Sequence, residues 1–325
     1  MRPALKAGLL PVWRDRDTLQ FGIDPRRAVA LTGMSGAPAR LVGLLDGSRD
    51  RAQLHAAAGE NGMAAEVVER ILALLAAAGA LDDFPSATFR ALPGAYRQRL
   101  AAELATASLA RGDGDGGATV LARRRAASVQ IYGAARISPA IASLLAAAGV
   151  GRVTEAEVGE LTTTGNGRVT RAEAPDYGAG AGSPDLAVLT SRVPAGLAAR
   201  LMHDRVPHLA ASATEAIGMV GPLVLPGRTA CLRCLEHIRA DNDPAWPLIL
   251  AQLAGRPADP LGCDTVLTAA VAAQAAGQAL TYLDRSTPSS AAVNGTLELV
   301  LPGWQWRRRT WLPHFACVCA SHTPA

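Results

Sequence analysis

Long apolar runs are missing from this sequence of 325 residues. ILALLAAAGAL from Ile71 and AIASLLAAAGVG from Ala140 stop well short of the ~18 residues that suggest a membrane span. The N-terminus lacks a basic segment followed by an apolar one and a small-residue cleavage site, so no secretion signal is expected. The expectation is a cytoplasmic chain with no membrane partner. Aromatic residues are scarce at 4%, and alanine dominates the hydrophobic 49%, which fits a soluble core and not a lipid-facing surface. A surplus of one charge is also missing. The formal net charge is +4, and scattered arginines of that balance argue against a broad nucleic-acid-binding field. RRR at 123–125 and at 307–309 are the basic clusters, read as solvated strand or linker flanks. Five cysteines are too few for a disulfide scaffold.

The cysteines that are present have an informative spacing. Two stand as CLRC at 231–234, two as CVC at 317–319, and Cys263 stands alone. In a reducing compartment such close pairs point to metal. A CxxC turn offers two thiolates to one ion, and a tetrahedral zinc needs two more. Cys317 and Cys319 can supply them to Cys231 and Cys234. A full set of four thiolates leaves no open position for water, so the expected Zn(2+) is structural. Cys263 reads as a small buried residue. His314, three residues before Cys317, can support the site or substitute as a ligand.

The chain reads as three segments. Residues 1–90 suggest a small module: LQFGID and RRAVALTG predict two strands around an Asp-Pro turn at Asp24 and Pro25. ARLVGLLDG and SRDRAQLHAAA predict two helices, with Gly47 as a stop and Ser48 as a cap. A third, over 64–78, places Val67, Val68, Ile71, Leu74 and Leu75 on one apolar face. A hairpin plus three short helices is the layout of a winged helix. Such modules often bind DNA, yet the outer face of the third helix offers Glu66, Glu69, Arg70 and Ala73, and carboxylates repel phosphates. A peptide added to the strand edge, or laid beside the third helix, fits better. Val29, Leu31 and Arg70 are its candidate contacts.

Residues 91–127 read as a helical segment running into the flexible stretch RGDGDGGA at 111–118. The third segment, 128–325, alternates strand and helix. SVQIYG, GRVTEAEV and PDLAVLTS are strands, and SPAIASLLAAAGVG is a helix with Ser138 as N-cap, Pro139 at its first position and Gly149 as the stop. This α/β pattern predicts a doubly wound parallel sheet.

The stretch VQIYGAARISPAIASLLAAAGVGRV, 129–153, resembles the nucleotide loop of the ThiF, MoeB and ubiquitin-activating enzyme superfamily, GxGGxGSP followed by a helix and AAAGVGR. Gly133 holds the first glycine; Ala135, Arg136 and Ser138 occupy the others. Each lost glycine adds a Cβ where backbone must approach phosphate and removes access to positive φ. The resemblance implies nucleotide contacts at Gly133, Arg136 and Glu157, the last as the acidic residue for a ribose. The triphosphate-binding Asn, Arg and Lys of that superfamily have only Asn166, Arg168 and Arg171 as counterparts, in an unconvincing spacing, and no carboxylate follows Asp185 in the third strand to position magnesium. ATP and Mg(2+) therefore read as lost, and no catalytic residue is assigned.

PGRTACLRCL resembles the zinc knuckle of the same superfamily. Together with the first module, LDGSRDRAQL at 45–54, GALDD at 79–83 and GRTACLRCLEHIRADNDPAWP, it resembles the leader-peptide-binding, ThiF-like partner proteins of azoline-forming cyclodehydratases. That resemblance implies a non-catalytic scaffold that grips a precursor's leader peptide and presents the core to a YcaO-type cyclodehydratase. It also implies a homodimer paired through the ThiF-like half. The alternative is a working ATP-dependent adenylyltransferase that activates the C-terminus of a carrier protein or peptide.

Overall fold

The computed structural model describes residues 1–133, 135–156, 183–190, 195–253, 263–286 and 290–319. The chain divides into two compact units, Met1–Arg123 and Arg124–Ala325.

In the first unit, β1 (Pro3–Leu5) pairs antiparallel with β5 (Leu81–Asp83). β2 (Pro11–Trp13), β3 (Leu19–Phe21) and β4 (Val29–Leu31) form an antiparallel sheet in that order. α1 (Ala37–Val42), α2 (Arg51–Glu60) and α3 (Ala65–Ala77) follow. α2 is capped by Asp50 and not by Ser48. The Asp50 carboxylate accepts from Gln53 N–H while Gln53 Oε1 accepts from Asp50 N–H, and this reciprocal pair sits two residues nearer the helix than Ser48. Val68, Ile71, Leu72 and Leu75 of α3 join Phe21, Leu31, Met34 and Leu54 in one core; Leu74 is left outside.

Residues 87–126 hold α4 (Ala87–Ala91), α5 (Gly94–Arg99), α6 (Ala101–Arg111) and α7 (Ala118–Ala126). The glycine- and aspartate-rich stretch, expected to be a flexible linker or loop, is a short loop between α6 and α7. Its physical reason is visible at Gly117, where a Cβ would fall 2.4 Å from the Leu104 carbonyl oxygen, and Ala118, Val120 and Leu121 beyond it are fully buried.

The second unit is a mixed sheet with strand order β12-β11-β10-β9-β8-β6-β7. β6 (Ser128–Tyr132) lies between β7 (Arg152–Ala156) and β8 (Leu186–Leu189), and β8 pairs with β9 (His208–Thr214); these three pairings are parallel. β10 (Ile217–Val224), β11 (Gly295–Val300) and β12 (Trp306–Thr310) continue antiparallel. The sheet is thus parallel in one half only. β9 and β10 are joined by Glu215 and Ala216 alone, both at positive φ, and a two-residue turn of that kind returns the chain antiparallel.

Helices cover both faces. Val129, Ile131, Leu186 and Val188 point to one side, with α8 (Ser138–Ala147) and α12 (Thr265–Leu283); Tyr132, Ala187 and Leu189 point to the other, with Leu197 and Leu201 of α9 (Ala195–His203). α12 is the longest apolar helix and reaches membrane-span length, which the two shorter runs singled out in the sequence do not. Its Leu267, Val271, Ala272, Ala275, Ala276, Ala279 and Leu283 are core residues against the sheet. α10 (Leu232–Asn242) and α11 (Trp246–Leu253) carry the chain between β10 and α12.

Candidate metal centre and nucleotide turn

β10 runs into a loop that delivers the first cysteine pair. Thr229 closes this loop, its hydroxyl accepting from Leu225 N–H at 2.8 Å, and Asn294 Oδ1 accepts from Ala230 N–H at 2.9 Å. Cys231 then occupies the N-cap of α10 and Cys234 its first turn, with Cys234 N–H donating to the Cys231 carbonyl. The second pair arrives from the segment after β12, where Cys317 N–H donates to the His314 carbonyl. Cys231 Sγ lies 3.7 Å from Cys234 Sγ and 3.6 Å from Cys317 Sγ, and Cys234 Sγ lies 3.2 Å from Cys319 Sγ. All four sulfurs fall within 4.8 Å of one another. Thiolates about 2.3 Å from a shared tetrahedral ion stand about 3.8 Å apart, so the four thiols can close around one metal ion.

The surroundings explain the site's electrostatics. Val224, Leu235 and Trp311 pack around the sulfurs. Burial pushes the Cys231 thiol up to about 11 and raises Cys319 as well. Cys234 is held below the usual thiol range: burial opposes this, and hydrogen bonds from the His314 backbone and the Cys319 thiol outweigh it. Such thiols ionise together only around a cation. His314 is a neighbour and not one of the four. Its Nε2 faces Asp241 Oδ2 at 2.8 Å, its Nδ1 accepts from Ala316 N–H, and its ring stacks on His237 at 5.0 Å.

At the carboxyl end of β6 the chain turns at Gly133, φ +120°, into α8. Ser138 does not cap this helix; Ile137 does, and Ser138 is its first residue. The Ser138 hydroxyl is buried, 3.1 Å from the Gly133 carbonyl oxygen and 2.7 Å from Thr190 Oγ1, which in turn donates to the Tyr132 carbonyl. These hydroxyls tie the ends of β6 and β8 to the helix. Arg136 reaches sideways, its guanidinium donating to the Cys263 carbonyl at 2.7 Å. Neither side chain fills the space before the turn. A cavity of about 420 Å3 remains, lined by Gly133, Ala135, Arg136, Ser138, Pro139 and Glu155.

Gly133 and Arg136 both line this cavity. Glu157, Asn166, Arg168 and Arg171 lie outside the described residues. The carboxylate that lines the cavity is Glu155, at the end of β7 opposite Ile131, a residue that the spacing of TEAEV alone could not rank against Glu157. Asp185 sits at the opposite end of the sheet, where its carboxylate accepts from Ser128 N–H at 2.8 Å. Cys263 is buried, 3.1 Å from Thr268 Oγ1 beside the Asp264 cap of α12.

The candidate peptide contacts fare differently. β4 is an edge strand, but Val29 and Leu31 lie two residues apart and share its inward face, with Leu31 in the core. Arg70 is exposed on α3, and its side chain has no hydrogen bond or ion pair among the described residues. Glu69 is occupied by Arg51 and by His55 Nε2 at 2.6 Å; the His55 hydrogen bond, opposed by desolvation and aided by the Arg51 charge, holds its carboxyl below the usual range.

No protein-family model and no curated protein matches the sequence. Solved structures match its fold. E. coli MccB, solved with AMPCPP and selenomethionine MccA, superposes with a TM-score of 0.65 at 12% identity, over 98% of this chain and 100% of that one. MccB solved with ATP gives 0.64 at 13% identity, over 98% and 99%. The heterocyclase TruD gives 0.65 at 15% identity, over 96% of this chain and 42% of its own. A heterocyclase solved in complex with substrate and cofactor gives 0.65 at 13%, over 98% and 39%. The chain thus spans the length of MccB and about two fifths of these heterocyclases.

Proposed function

We propose that this chain is a leader-peptide-binding scaffold that presents a ribosomally made precursor peptide to a partner YcaO-type cyclodehydratase. The observation that carries the reading is the turn at Gly133. Ser138 spends its hydroxyl on the Gly133 carbonyl and Thr190, and Arg136 spends its guanidinium on the Cys263 carbonyl, so the two groups best placed for a phosphate serve the fold. Asp185 is at the wrong end of β8 for a magnesium, and the sequence from 186 to 203 contains no Asp or Glu. Likeness of fold to heterocyclases supports the same assignment, as a separate chain about the size of the matching two fifths.

In this reading residues 1–90 are a winged-helix peptide-recognition module that uses the β4 edge, with Arg70 on the neighbouring helix steering the leader. The four cysteines hold a structural Zn(2+). The scaffold works in the cytoplasm as a homodimer. Neither nucleic acid nor membrane enters.

A second reading has a specific observation in its favour. The 420 Å3 cavity at the N-terminus of α8 and the full-length likeness to MccB, solved with ATP, support an ATP-dependent adenylyltransferase acting on a peptide or carrier C-terminus. Titration calorimetry of the full chain with ATP and magnesium, run beside pyrophosphate exchange with candidate peptides, separates the two. The scaffold reading expects no exchange and no tight ATP binding. Exchange that depends on a peptide establishes the adenylyltransferase instead.

A further inference from the structure

The large sheet ends on a strand whose outer edge pairs with nothing among the described residues. β12 is last in the strand order, and all five of its residues are exposed. Along it stand Arg307, Arg308 and Arg309. Arg308 is committed to the protein, donating to the carbonyls of Ala291 and Val293 at 2.8 and 3.0 Å and to Thr310 Oγ1. Arg309 lies over the Trp311 ring at 5.1 Å and only 4.0 Å from Glu298. The Arg307 side chain has no hydrogen bond or ion pair among the described residues, while its backbone lies opposite Glu298 in the β11 pairing. Strand alternation places Arg307 and Arg309 on one face.

Beside β12 opens a cavity of about 520 Å3, lined by Ile238, Arg239, Trp246, Arg309, Trp311 and Leu312 among others. Its wall is a ladder of rings and cations. The Arg239 guanidinium sits 5.2 Å from the Trp246 ring and 5.9 Å from Trp311, and Arg309 stacks on the same Trp311. Glu236 holds the ladder in place by accepting from Arg239 at 3.1 Å and from Trp246 Nε1. Stacked cations and rings of this kind order a surface before any ligand arrives.

We infer that the β12 edge docks an acidic, extended segment of a partner protein. The segment adds to the sheet through main-chain hydrogen bonds, sets its carboxylates against Arg307 and Arg309, and seats one apolar side chain in the cavity. Charge selects this occupant. A second copy paired through the same edge would bring two rows of arginine together, and like charges across strands repel. Nucleic acid needs a wider basic field, whereas Glu236, Asp241, Asp243 and Glu298 interrupt this one. Arginines on an edge also guard against aggregation, but that role needs charge and no cavity.

Fluorescence anisotropy of the full chain tests the inference. The probe is a labelled peptide of about eight residues whose alternate positions carry glutamates and one leucine on a single face, with threonines between, and its controls are the same peptide with lysines for glutamates and an alternately N-methylated form. The glutamate peptide is expected to bind, and to bind less well as salt rises. Both controls, and the Arg307→Glu/Arg309→Glu variant, are expected to lose about tenfold or more. Trp246→Ala should weaken binding while leaving the salt dependence in place, and circular dichroism should find both variants folded. Equal binding of the two charges, retention by the N-methylated peptide, or indifference to the arginine reversals would overturn the inference. So would a single-stranded oligonucleotide that displaces the peptide, or a dimer that the same reversals dissociate.

Discussion

Lys6 Nζ lies 3.0 Å from Asp82 Oδ1 in the first unit, with the two side chains 3% and 5% exposed. Lys6 is the single lysine of the chain. It donates to the Ser108 carbonyl at 2.6 Å and to Ser108 Oγ at 2.9 Å, and Ser108 Oγ donates to Asp82 Oδ2 at 2.6 Å. Three segments far apart in sequence are thereby bonded through one buried charge pair.

Removing one partner leaves the other charge buried. Lys6→Met should destabilise the protein by about 3–5 kcal/mol, and a Lys6→Met/Asp82→Leu pair should regain most of that loss. Urea unfolding measures both. A single variant as stable as the parent would contradict the account.

Gly151 is required for a different reason. A Cβ there would fall 1.8 Å from the Arg125 carbonyl oxygen, and the Gly151 N–H donates to the Arg124 carbonyl at 2.9 Å. Neither backbone can yield without breaking that bond. Gly151→Ala is expected to cost about 3 kcal/mol or more, read as a lowered thermal midpoint; an unshifted midpoint would show that the turn can open.

The four-cysteine cluster, which could hold a metal ion, carries opposite pH dependences with and without one. Loaded protein must keep its thiolates, so acid releases the ion, and Cys234→Ser should lower bound metal well below one equivalent by elemental analysis. Metal-free protein behaves the other way. The folded Cys231 value is raised to about 11, above the unfolded thiol, so its contribution is complete below the unfolded value and disappears as pH climbs towards 11. Melting curves of chelator-treated protein from neutral to alkaline pH should fall, and metal addition at neutral pH should restore the midpoint.

His208 provides an acid-side test. It is fully buried; its Nδ1 stands 3.0 Å from the Val206 carbonyl, and its Nε2 has no partner among the described residues. Burial lowers its pKa, outweighing the Val206 bond that raises it. A depressed value means that the stability is present above the unfolded value near 6.5 and is lost as pH falls through the folded one. Unfolding midpoints should drop on acidification, and His208→Leu should flatten the drop between pH ~7 and ~5. An equally steep profile in that variant would assign the acid sensitivity to other groups.

Much of the candidate site was legible because its information is local. CLRC and CVC each place two thiols close enough to share one ion, and Gly133, Pro139 and Gly149 mark a strand, turn and helix without any knowledge of their neighbours. Helix caps were less legible: Ser48 and Asp50 are equally plausible in sequence, and the Gln53 hydrogen bond decided between them. For Val29 and Leu31, alternation shows that they share a face but not that this face is the one turned to the core.

The sequence by itself determined the two cysteine pairs, the strand, turn and helix over 128–149, and the loss of glycines from that turn, because each depends on residues within a few positions of one another. Tertiary structure alone decided that the two cysteine pairs meet, that Ser138 bonds Thr190, that Glu155 reaches the cavity, that Lys6 meets Asp82, and that three arginines lie on a strand unpaired at its outer edge among the described residues. Those relations join side chains from distant segments. They arise only once sheet order and helix packing bring them within hydrogen-bond reach.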